Sequence, residues 1–283
     1  MQKKRFHVFF WPVLITVFAG CANTTTAVQP QTTDVRQTPQ LTTQTLTQDK
    51  VAADEELKKL AADLGRDCNV APDSKKPQHI IGYGSLMQDE SRERSAPNAG
   101  VAYPVRLKGY RRGWFAKGGS VGFDTTYLGA VPDKAGKLNA VIYKINPDEI
   151  PAMDKREFFY CRLAVEPASF TLLKQGTPTP RGQVWIYVNK PESIATANAQ
   201  YPIVQSYVDI FVSGCQEQEQ RYALKNFAKE CLAMTSDWST AWVNDRLYPR
   251  RPFIHQPKAG QIDKLLKEQL PDYFQQIHIE SAV

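Results

Sequence analysis

Alternating apolar and polar positions in the middle of the chain predict a set of β-strands. Residues 79–83 read His-Ile-Ile-Gly-Tyr, the composition of a short buried strand, and Gly84 and Ser85 follow directly. Residues 159–165 alternate as well, with Phe159, Cys161, Leu163 and Val165 on one apolar face. Further strands are predicted at 101–107, 169–173 and 182–188, together with a hairpin whose strands 126–131 and 138–145 turn at 132–136.

Apolar residues at helical spacing predict helices on both sides of these strands. Residues 49–64 place Leu57, Leu60, Ala61 and Leu64 on one face of a helix. The tetrapeptide 146–149, Asn-Pro-Asp-Glu, has the cap, the first-turn proline and the third-position glutamate of a helix start. Two more helices are predicted after residue 203. Because the strands and helices do not alternate regularly, the pattern favours an α+β fold over a doubly wound sheet.

The first fifty residues have a different character. Three basic residues precede an apolar run from 8 to 20, which is too short to span a bilayer and fits a signal-peptide core. The run ends Val-Phe-Ala-Gly-Cys, which is similar to a bacterial lipobox with Cys21 as the lipidated residue; an ordinary secretory cleavage site is the alternative. Residues 22–50 hold ten threonines and almost no large apolar side chains, which predicts a flexible tether.

These patterns predict four segments. They are a lipoprotein signal peptide at 1–20, a Thr/Gln-rich disordered tether at 21–48, an accessory helical segment at 49–74, and the main domain at 75–283. The protein is therefore expected to be membrane-anchored and extracytoplasmic, in the periplasm. By resemblance to bacterial sorting rules, Ala22 after the lipidated cysteine favours the outer membrane.

Charge and cysteine content narrow the function further. Without its three basic leader residues the chain has 32 basic and 29 acidic side chains, so a net charge of +3 gives no argument for nucleic-acid binding. Cys68, Cys161, Cys215 and Cys231 allow two disulfides in three connectivities, and we expect a bond between Cys215 and Cys231 on neighbouring helices. The cysteine and histidine spacings predict neither a metal site nor a cofactor.

Two short blocks carry a resemblance to a known family. Residues 82–86, Gly-Tyr-Gly-Ser-Leu, resemble the opening signature of the gamma-glutamylcyclotransferases. Residues 153–162, Met-Asp-Lys-Arg-Glu-Phe-Phe-Tyr-Cys-Arg, resemble the block that holds the catalytic glutamate of that family. The resemblance extends over roughly residues 78–252. It implies a small mixed β-barrel with flanking helices and an enzyme that cyclises a gamma-glutamyl group to 5-oxoproline with release of an amine.

The resemblance also implies a set of site residues. Glu157 would transfer the proton, and the backbone N–H groups of Gly84, Ser85 and Leu86 would hold the glutamyl carboxylate or polarise the gamma-carbonyl. Tyr83 would shape the pocket, and the side chains expected to contact substrate are those of Tyr160 and Arg162. Apolar neighbours raise the pKa of a carboxyl group and nearby arginines lower it, so the sequence leaves the pKa of Glu157 open.

Two functions from other classes fit the same residues. A binding lipoprotein would keep the pocket for gamma-glutamyl or amino-acid ligands without turnover, although the presence of Glu157 argues against it. A cysteine hydrolase would use Cys161 and needs a histidine partner that no nearby motif supplies. In the favoured interpretation the partners are a small gamma-glutamyl substrate and a membrane reached through the lipid anchor.

Overall fold

The computed structural model describes residues 43–64, 67–120, 123–250 and 256–279. The predicted signal peptide, Cys21 and most of the predicted tether therefore lie outside the described residues. The strands are β1 (Gln78–Gly82), β2 (Tyr103–Ser120), β3 (Phe123–Ile145), β4 (Tyr160–Ala164), β5 (Phe170–Leu172), β6 (Gln183–Asn189), β7 (Ile203–Val204), β8 (Thr235–Ser236), β9 (Trp242–Asn244) and β10 (His278–Ile279). The helices are α1 (Thr43–Ala61), α2 (Asp89–Glu93), α3 (Ile150–Arg156), α4 (Gln205–Tyr222), α5 (Phe227–Ala233), α6 (Ala259–Gln269) and α7 (Pro271–Phe274). None of these helices is long and apolar enough to cross a bilayer.

The sheet brings the two sequence motifs to one end of its centre. The main strand order is β10-β9-β7-β3-β1-β6-β4, with β1 antiparallel to β3 and parallel to β6, and β6 antiparallel to β4. The C-terminal ends of β1 and β6 and the N-terminal end of β4 therefore meet at the same edge. Residues that follow β1 and residues that precede β4 are neighbours in space although about 70 positions separate them in the sequence.

The fold is α+β, as the pattern predicts, but the prediction of a closed barrel is wrong for the described residues. Strand β4 is an edge of the sheet, and the segment before β1 covers it. The N–H of Asn69 donates to Arg162 O at 3.0 Å, and the N–H of Arg162 donates to Asn69 Oδ1 at 2.8 Å. Because these bonds occupy backbone groups that a further strand would need, the sheet ends at β4.

The predicted hairpin at 126–145 is also wrong, because one strand, β3, runs through the expected turn. It pairs with β2 on both sides of that point: Tyr110 pairs with Pro132 and Lys108 pairs with Lys137. Residues 133–136 therefore form a bulge opposite Gly109, with the N–H of Ala135 bonded to Asp133 Oδ1 at 2.9 Å. The residues with turn composition form a bulge and do not reverse the chain direction, because β2 pairs with β3 on both sides of them.

Apolar clusters cover both faces of the sheet. One joins Ile80, Tyr143 and Trp185 to the buried faces of α4, α5 and α6. The other places Leu57, Ala61 and Leu64 of the N-terminal segment against the opposite face, which confirms the apolar face predicted for residues 49–64. The helix begins at Thr43, six residues earlier than predicted, and ends in a short turn, Ala62–Leu64.

Two disulfides lie within this core. The predicted bond between Cys215 and Cys231 is present and joins α4 to α5, with a Cα–Cα distance of 6.5 Å. The second bond joins Cys68 to Cys161, with a Cα–Cα distance of 5.1 Å, and holds the segment before β1 against β4.

Candidate functional site

Glu157 lies at the junction between α3 and β4. A 3-10 turn, Pro147–Glu149, has the cap that the sequence predicts, with the N–H of Asn146 donating to Glu149 Oε2 at 3.2 Å, and α3 follows directly. It ends at Arg156, and the backbone of Glu157 caps it through a bond from its N–H to Met153 O at 2.8 Å. The carbonyl of Glu157 then accepts the N–H of Tyr160 at 2.8 Å, so a closed turn fixes the glutamate on both sides.

The strand β1 delivers the second motif to the same place. After Gly82 the chain turns through Tyr83 and Gly84 into a single 3-10 turn, Ser85–Met87. Both glycines permit close approach: a Cβ at Gly82 would lie 2.7 Å from Leu86 Cβ, and one at Gly84 would lie 3.0 Å from Tyr207 Oη. The N–H groups of Ser85 and Leu86 open the turn and have no carbonyl partner within it.

The two motifs line one small cavity, which we call the Glu157 cavity. Its volume is about 30 Å³. It is lined by Ile81, Tyr83, Gly84, Ser85, Leu86, Leu128, Glu157, Tyr160, Tyr187 and Tyr207. This volume holds about two water molecules, which is less space than a gamma-glutamyl group occupies.

Three of the lining tyrosines direct their hydroxyl groups to fixed acceptors. Tyr83 Oη donates to Tyr187 O at 2.7 Å, Tyr160 Oη donates to Leu128 O at 3.1 Å, and Tyr187 Oη donates to Asp154 Oδ1 at 2.7 Å. Burial raises the pKa of Tyr83, Tyr160 and Tyr187, and neighbouring groups, Glu157 among them, add to the shift. These residues are therefore neutral at ordinary pH and act as hydrogen-bonding walls rather than as bases.

Of the residues predicted to bind substrate, the structure gathers all but one around Glu157. Arg162 is the exception, because it does not line the cavity. Its Nε and Nη2 lie 2.9 and 3.1 Å from the carboxylate oxygens of Asp154, and its guanidinium stacks on Trp185 at 4.5 Å. Since Asp154 accepts the Tyr187 hydroxyl, Arg162 supports the cavity wall from behind.

Cys161 points away from the cavity. The predicted alternation holds in β4, where Cys161 is fully buried in the cluster beneath α1. Its sulfur is bonded to Cys68, so the disulfide leaves no thiol for a nucleophile. The cysteine-hydrolase alternative has no support in this geometry.

Arg156 links the two motifs. Its Nε lies 3.1 Å from Glu157 Oε1, and its Nη2 lies 3.4 Å from Ser85 Oγ. Its Nη1 donates to Ser91 O at 3.1 Å and to the Ser95 hydroxyl, which ties the pair to the segment after the glycine turn. The Arg156 side chain thus holds the glutamate and the Ser85 turn in one frame.

Sequence reasoning missed Tyr187, Tyr207 and Leu128 as cavity residues. Tyr187 and Leu128 lie on strands whose patterns show only that they are buried, and Tyr207 lies on a helix far along the chain. Arg112 also contacts the glycine turn, because its Nη1 donates to the carbonyl of Tyr83 at 3.0 Å. Its neighbour in the sequence, Arg111, instead pairs with Asp237 at 3.1 Å.

A second pocket of about 460 Å³ adjoins the turn that carries Glu157. Phe158 and Phe159 line it, together with Lys117, Lys190 and Tyr201. Lys190 Nζ donates to Phe158 O at 3.0 Å, and Lys117 Nζ lies 4.3 Å from the centre of the Tyr201 ring. Two acidic residues, which complete the charged lining, are Asp124 and Glu192. Within the described ranges, no cluster of three or more histidine, cysteine or acidic side chains is arranged to hold a metal ion.

One comparison with known proteins matches the part of the chain that holds both motifs. Residues 80–206 match the family model of gamma-glutamyl cyclotransferase, AIG2-like. The matched span is 127 of the 283 residues and contains both motifs and every residue of the Glu157 cavity except Tyr207. A comparison with curated proteins gave no significant match.

Several solved structures resemble the chain weakly. An uncharacterized human protein aligns at 14% identity with a TM-score of 0.43, over 58% of this chain and 92% of its own. A gamma-glutamyl cyclotransferase aligns at 14% identity with a TM-score of 0.42, over 68% of this chain and 99% of its own. A yeast gamma-glutamyl cyclotransferase specific to glutathione aligns at 13% identity with a TM-score of 0.36, over 70% of this chain and 97% of its own.

Proposed function

We propose that the protein is a gamma-glutamyl cyclotransferase-type enzyme that converts a gamma-glutamyl group to 5-oxoproline and releases the amine to which it was attached. The observation that carries the proposal is that Glu157 and the turn Gly84-Ser85-Leu86 line one cavity. The match of residues 80–206 to the family model supports it independently.

The reaction needs only proton transfer and a bent substrate. The alpha-amine of the glutamyl group attacks its own gamma-carbonyl carbon, forming the new C–N bond while the carbonyl oxygen becomes an oxyanion. The Glu157 carboxylate accepts a proton from the attacking amine and gives it to the departing nitrogen as the old C–N bond breaks. Because both reacting groups belong to one molecule, holding the folded conformation contributes much of the rate.

Backbone groups of the glycine turn suit the negative charge in this scheme. The N–H groups of Ser85 and Leu86 have no partner within the 3-10 turn, and a donor fixed in a water-poor cavity stabilises an anion without reorganisation. They would hold either the glutamyl carboxylate or the developing oxyanion. Tyr83 and Tyr160 form the walls around the bent substrate.

The larger pocket beside Phe158 and Phe159 would take the departing amine. Glu157 and Tyr160 line one space while Phe158 and Phe159 line the other, so the second pocket lies beside the turn at which the scissile amide would sit. Its mixture of aromatic and charged side chains suits an amino acid or a short peptide better than a purely apolar amine.

The decisive experiment is a mass-spectrometric search for 5-oxoproline. The purified protein is incubated with glutathione, gamma-glutamyl dipeptides and gamma-glutamyl amines, with the Glu157→Gln variant beside it. The proposal expects 5-oxoproline from the wild type in excess of the spontaneous rate, and from the variant at a rate about 10²–10⁴-fold lower than that of the wild type. Saturable substrate binding without any 5-oxoproline would instead support the binding-lipoprotein function.

We also propose that the enzyme is a lipoprotein anchored through Cys21, on the outer membrane and facing the periplasm. The basic start, the short apolar run and the Gly20-Cys21 junction support this assignment. Replacing Cys21 by serine should release the protein to the soluble fraction or block its processing. Unchanged membrane partition of that variant contradicts the proposal.

A further inference from the structure

Arg112 is a buried cation that no acidic side chain neutralises among the residues that the structure describes. It is 0% exposed, and all five of its N–H donors are used. Nε donates to Thr235 Oγ1 at 2.8 Å; Nη1 donates to Tyr83 O and Asn139 O at 3.0 and 2.9 Å; Nη2 donates to Asn139 Oδ1 and Cys231 O at 3.1 and 2.6 Å. Every one of these acceptors is a neutral oxygen.

This arrangement is unusual for a protein interior. Buried charges are ordinarily paired with an opposite charge, because hydrogen bonds alone do not restore the solvation that the ion loses. Burial lowers the pKa of Arg112 to about 9, which still leaves the guanidinium protonated at neutral pH. The adjacent Arg111 shows the ordinary solution, since it is partly exposed and paired with Asp237.

The position of this charge connects it to the Glu157 cavity. Arg112 donates to the carbonyl oxygen of the Tyr83–Gly84 peptide. The nitrogen of the same peptide is that of Gly84, which lines the cavity. A cation bonded to a carbonyl polarises that peptide and strengthens its N–H as a donor. The guanidinium therefore acts on the cavity through the Tyr83–Gly84 peptide.

We propose that Arg112 is a positioning residue that makes the Glu157 cavity selective for an anionic ligand group, and that this group is the alpha-carboxylate of the glutamyl moiety. The identity of the anion rests on the proposed function. A permanent carboxylate fits better than a transient oxyanion, because the guanidinium charge is equally permanent.

Asn139 offers a substitution that separates charge from structure. Asn139→Asp keeps the size of the side chain and an oxygen acceptor for Arg112 Nη2, but places a carboxylate beside the guanidinium. It removes the bond from Asn139 Nδ2 to Phe227 O, which is 3.1 Å long, so thermal unfolding and circular dichroism must show that the variant folds. Arg111→Gln is the matched control, because it removes a neighbouring positive charge that is already paired.

The experiment measures calorimetric affinities for 5-oxoproline and for its uncharged carboxamide, together with steady-state kinetics. We expect the wild type and Arg111→Gln to prefer 5-oxoproline by roughly tenfold or more, the size of a hydrogen bond to a charged group. In Asn139→Asp the preference should fall to about threefold or less, with a higher KM and a nearly unchanged kcat. A purely structural role for Arg112 predicts that a folded Asn139→Asp keeps the full preference, and that result overturns the proposal.

The outcomes also separate this inference from the proposed function. Equal wild-type affinities for 5-oxoproline and its carboxamide overturn the inference without any variant, so it remains testable if Asn139→Asp does not fold. A fall in kcat with unchanged KM assigns the charge to the oxyanion and overturns the carboxylate assignment. If the protein prefers the carboxylate but shows no turnover, the inference is supported and the proposed cyclotransferase activity is overturned. If it shows turnover but no preference, the proposed activity is supported and the inference is overturned. A wild type that neither turns over substrate nor binds 5-oxoproline overturns both.

Discussion

Arg156 and Glu157 are consecutive residues whose side chains form an ion pair, with Arg156 Nε 3.1 Å from Glu157 Oε1. Both side chains are largely shielded from solvent, at 24% and 16% exposure. The pair lies where α3 ends, and the same arginine donates to Ser85 Oγ at 3.4 Å. The charge beside Glu157 therefore also fixes the position of the carboxylate relative to the glycine turn.

Replacing Glu157 by glutamine should remove the proton transfer and little else. The substitution keeps the size and hydrogen-bonding capacity of the side chain, and general acid–base catalysis typically contributes about 10²–10⁴ in rate, so we expect a loss of kcat in that range. The free energy of unfolding should change little. Glu166→Gln is the control, because Glu166 is exposed and lies outside both pockets. A Glu157→Gln variant with more than about a tenth of the wild-type kcat contradicts the assignment.

Replacing Arg156 by glutamine should misplace the carboxylate. The change removes the ion pair to Glu157 and the bond to Ser85. Because a hydrogen bond to a charged group is worth about 1.5–3 kcal/mol, kcat/KM should fall roughly tenfold to hundredfold. Lys155→Gln, at an exposed neighbouring position on α3, should leave kcat/KM unchanged. Equal activities of the two variants would show that Arg156 only stabilises the helix end.

The Cys68–Cys161 disulfide should serve stability and not turnover. Cys161→Ala and Cys68→Ala remove the same bond from opposite sides, so both should lower the free energy of unfolding, by about 4–5 kcal/mol in the chain-entropy model for a loop of this length. Both should keep most of the wild-type kcat. Unreduced peptide mapping checks the pairing itself, including Cys215–Cys231. If only Cys161→Ala abolishes activity, the cysteine acts in the chemistry.

Alkaline pH should destabilise the fold through the buried tyrosines. Burial raises the pKa values of Tyr83, Tyr160 and Tyr187 above that of an unfolded tyrosine, which is about 10. Above that pH the unfolded state loses protons that the native state retains, so the stabilising contribution is complete below about pH 10 and declines as the pH rises. Denaturant unfolding at several pH values, with tyrosinate absorbance recorded in parallel, tests this. Titration of all the tyrosines near pH 10 in the still-folded protein contradicts it.

The part of the N-terminal helix after residue 48 should matter for stability, whereas the residues before Asp49 should not. A chain that begins at Asp49 keeps the apolar face of α1 and the bond from the Thr196 N–H to Asp54 Oδ1, which is 2.8 Å long. It should therefore retain full kcat/KM on a small substrate. A chain that begins at Asp67 lacks α1 and should have a lower free energy of unfolding. The single substitution Leu57→Ala should by itself lower that free energy by about 2–5 kcal/mol, because Leu57 is buried. A large loss of kcat/KM in the Asp49 chain would show that the tether takes part in catalysis.

The sequence by itself determined the local features of the candidate site. The tetrapeptide 146–149 specifies a helix start through its own cap and proline, and this places Glu157 at the following helix-to-strand junction. Alternation in 159–165 correctly separates Cys161 from Tyr160, because successive side chains of a strand point to opposite faces. The spacing of Cys215 and Cys231 on adjacent helices likewise identified their disulfide.

Only the tertiary structure decided which residues contact these local features. Alternation places Tyr160 and Arg162 on one face of β4, but the neighbours of that face direct Tyr160 to the cavity and Arg162 to Asp154. The continuous partner β2 carries β3 through a segment with the composition of a turn, and Asn69 ends the sheet where the resemblance implies a barrel. Local sequence fixes backbone conformation and the facing of side chains over a few residues. Strand register and packing depend on the whole chain, and they bring Tyr187, Tyr207 and Arg112 to Glu157 and the glycine turn.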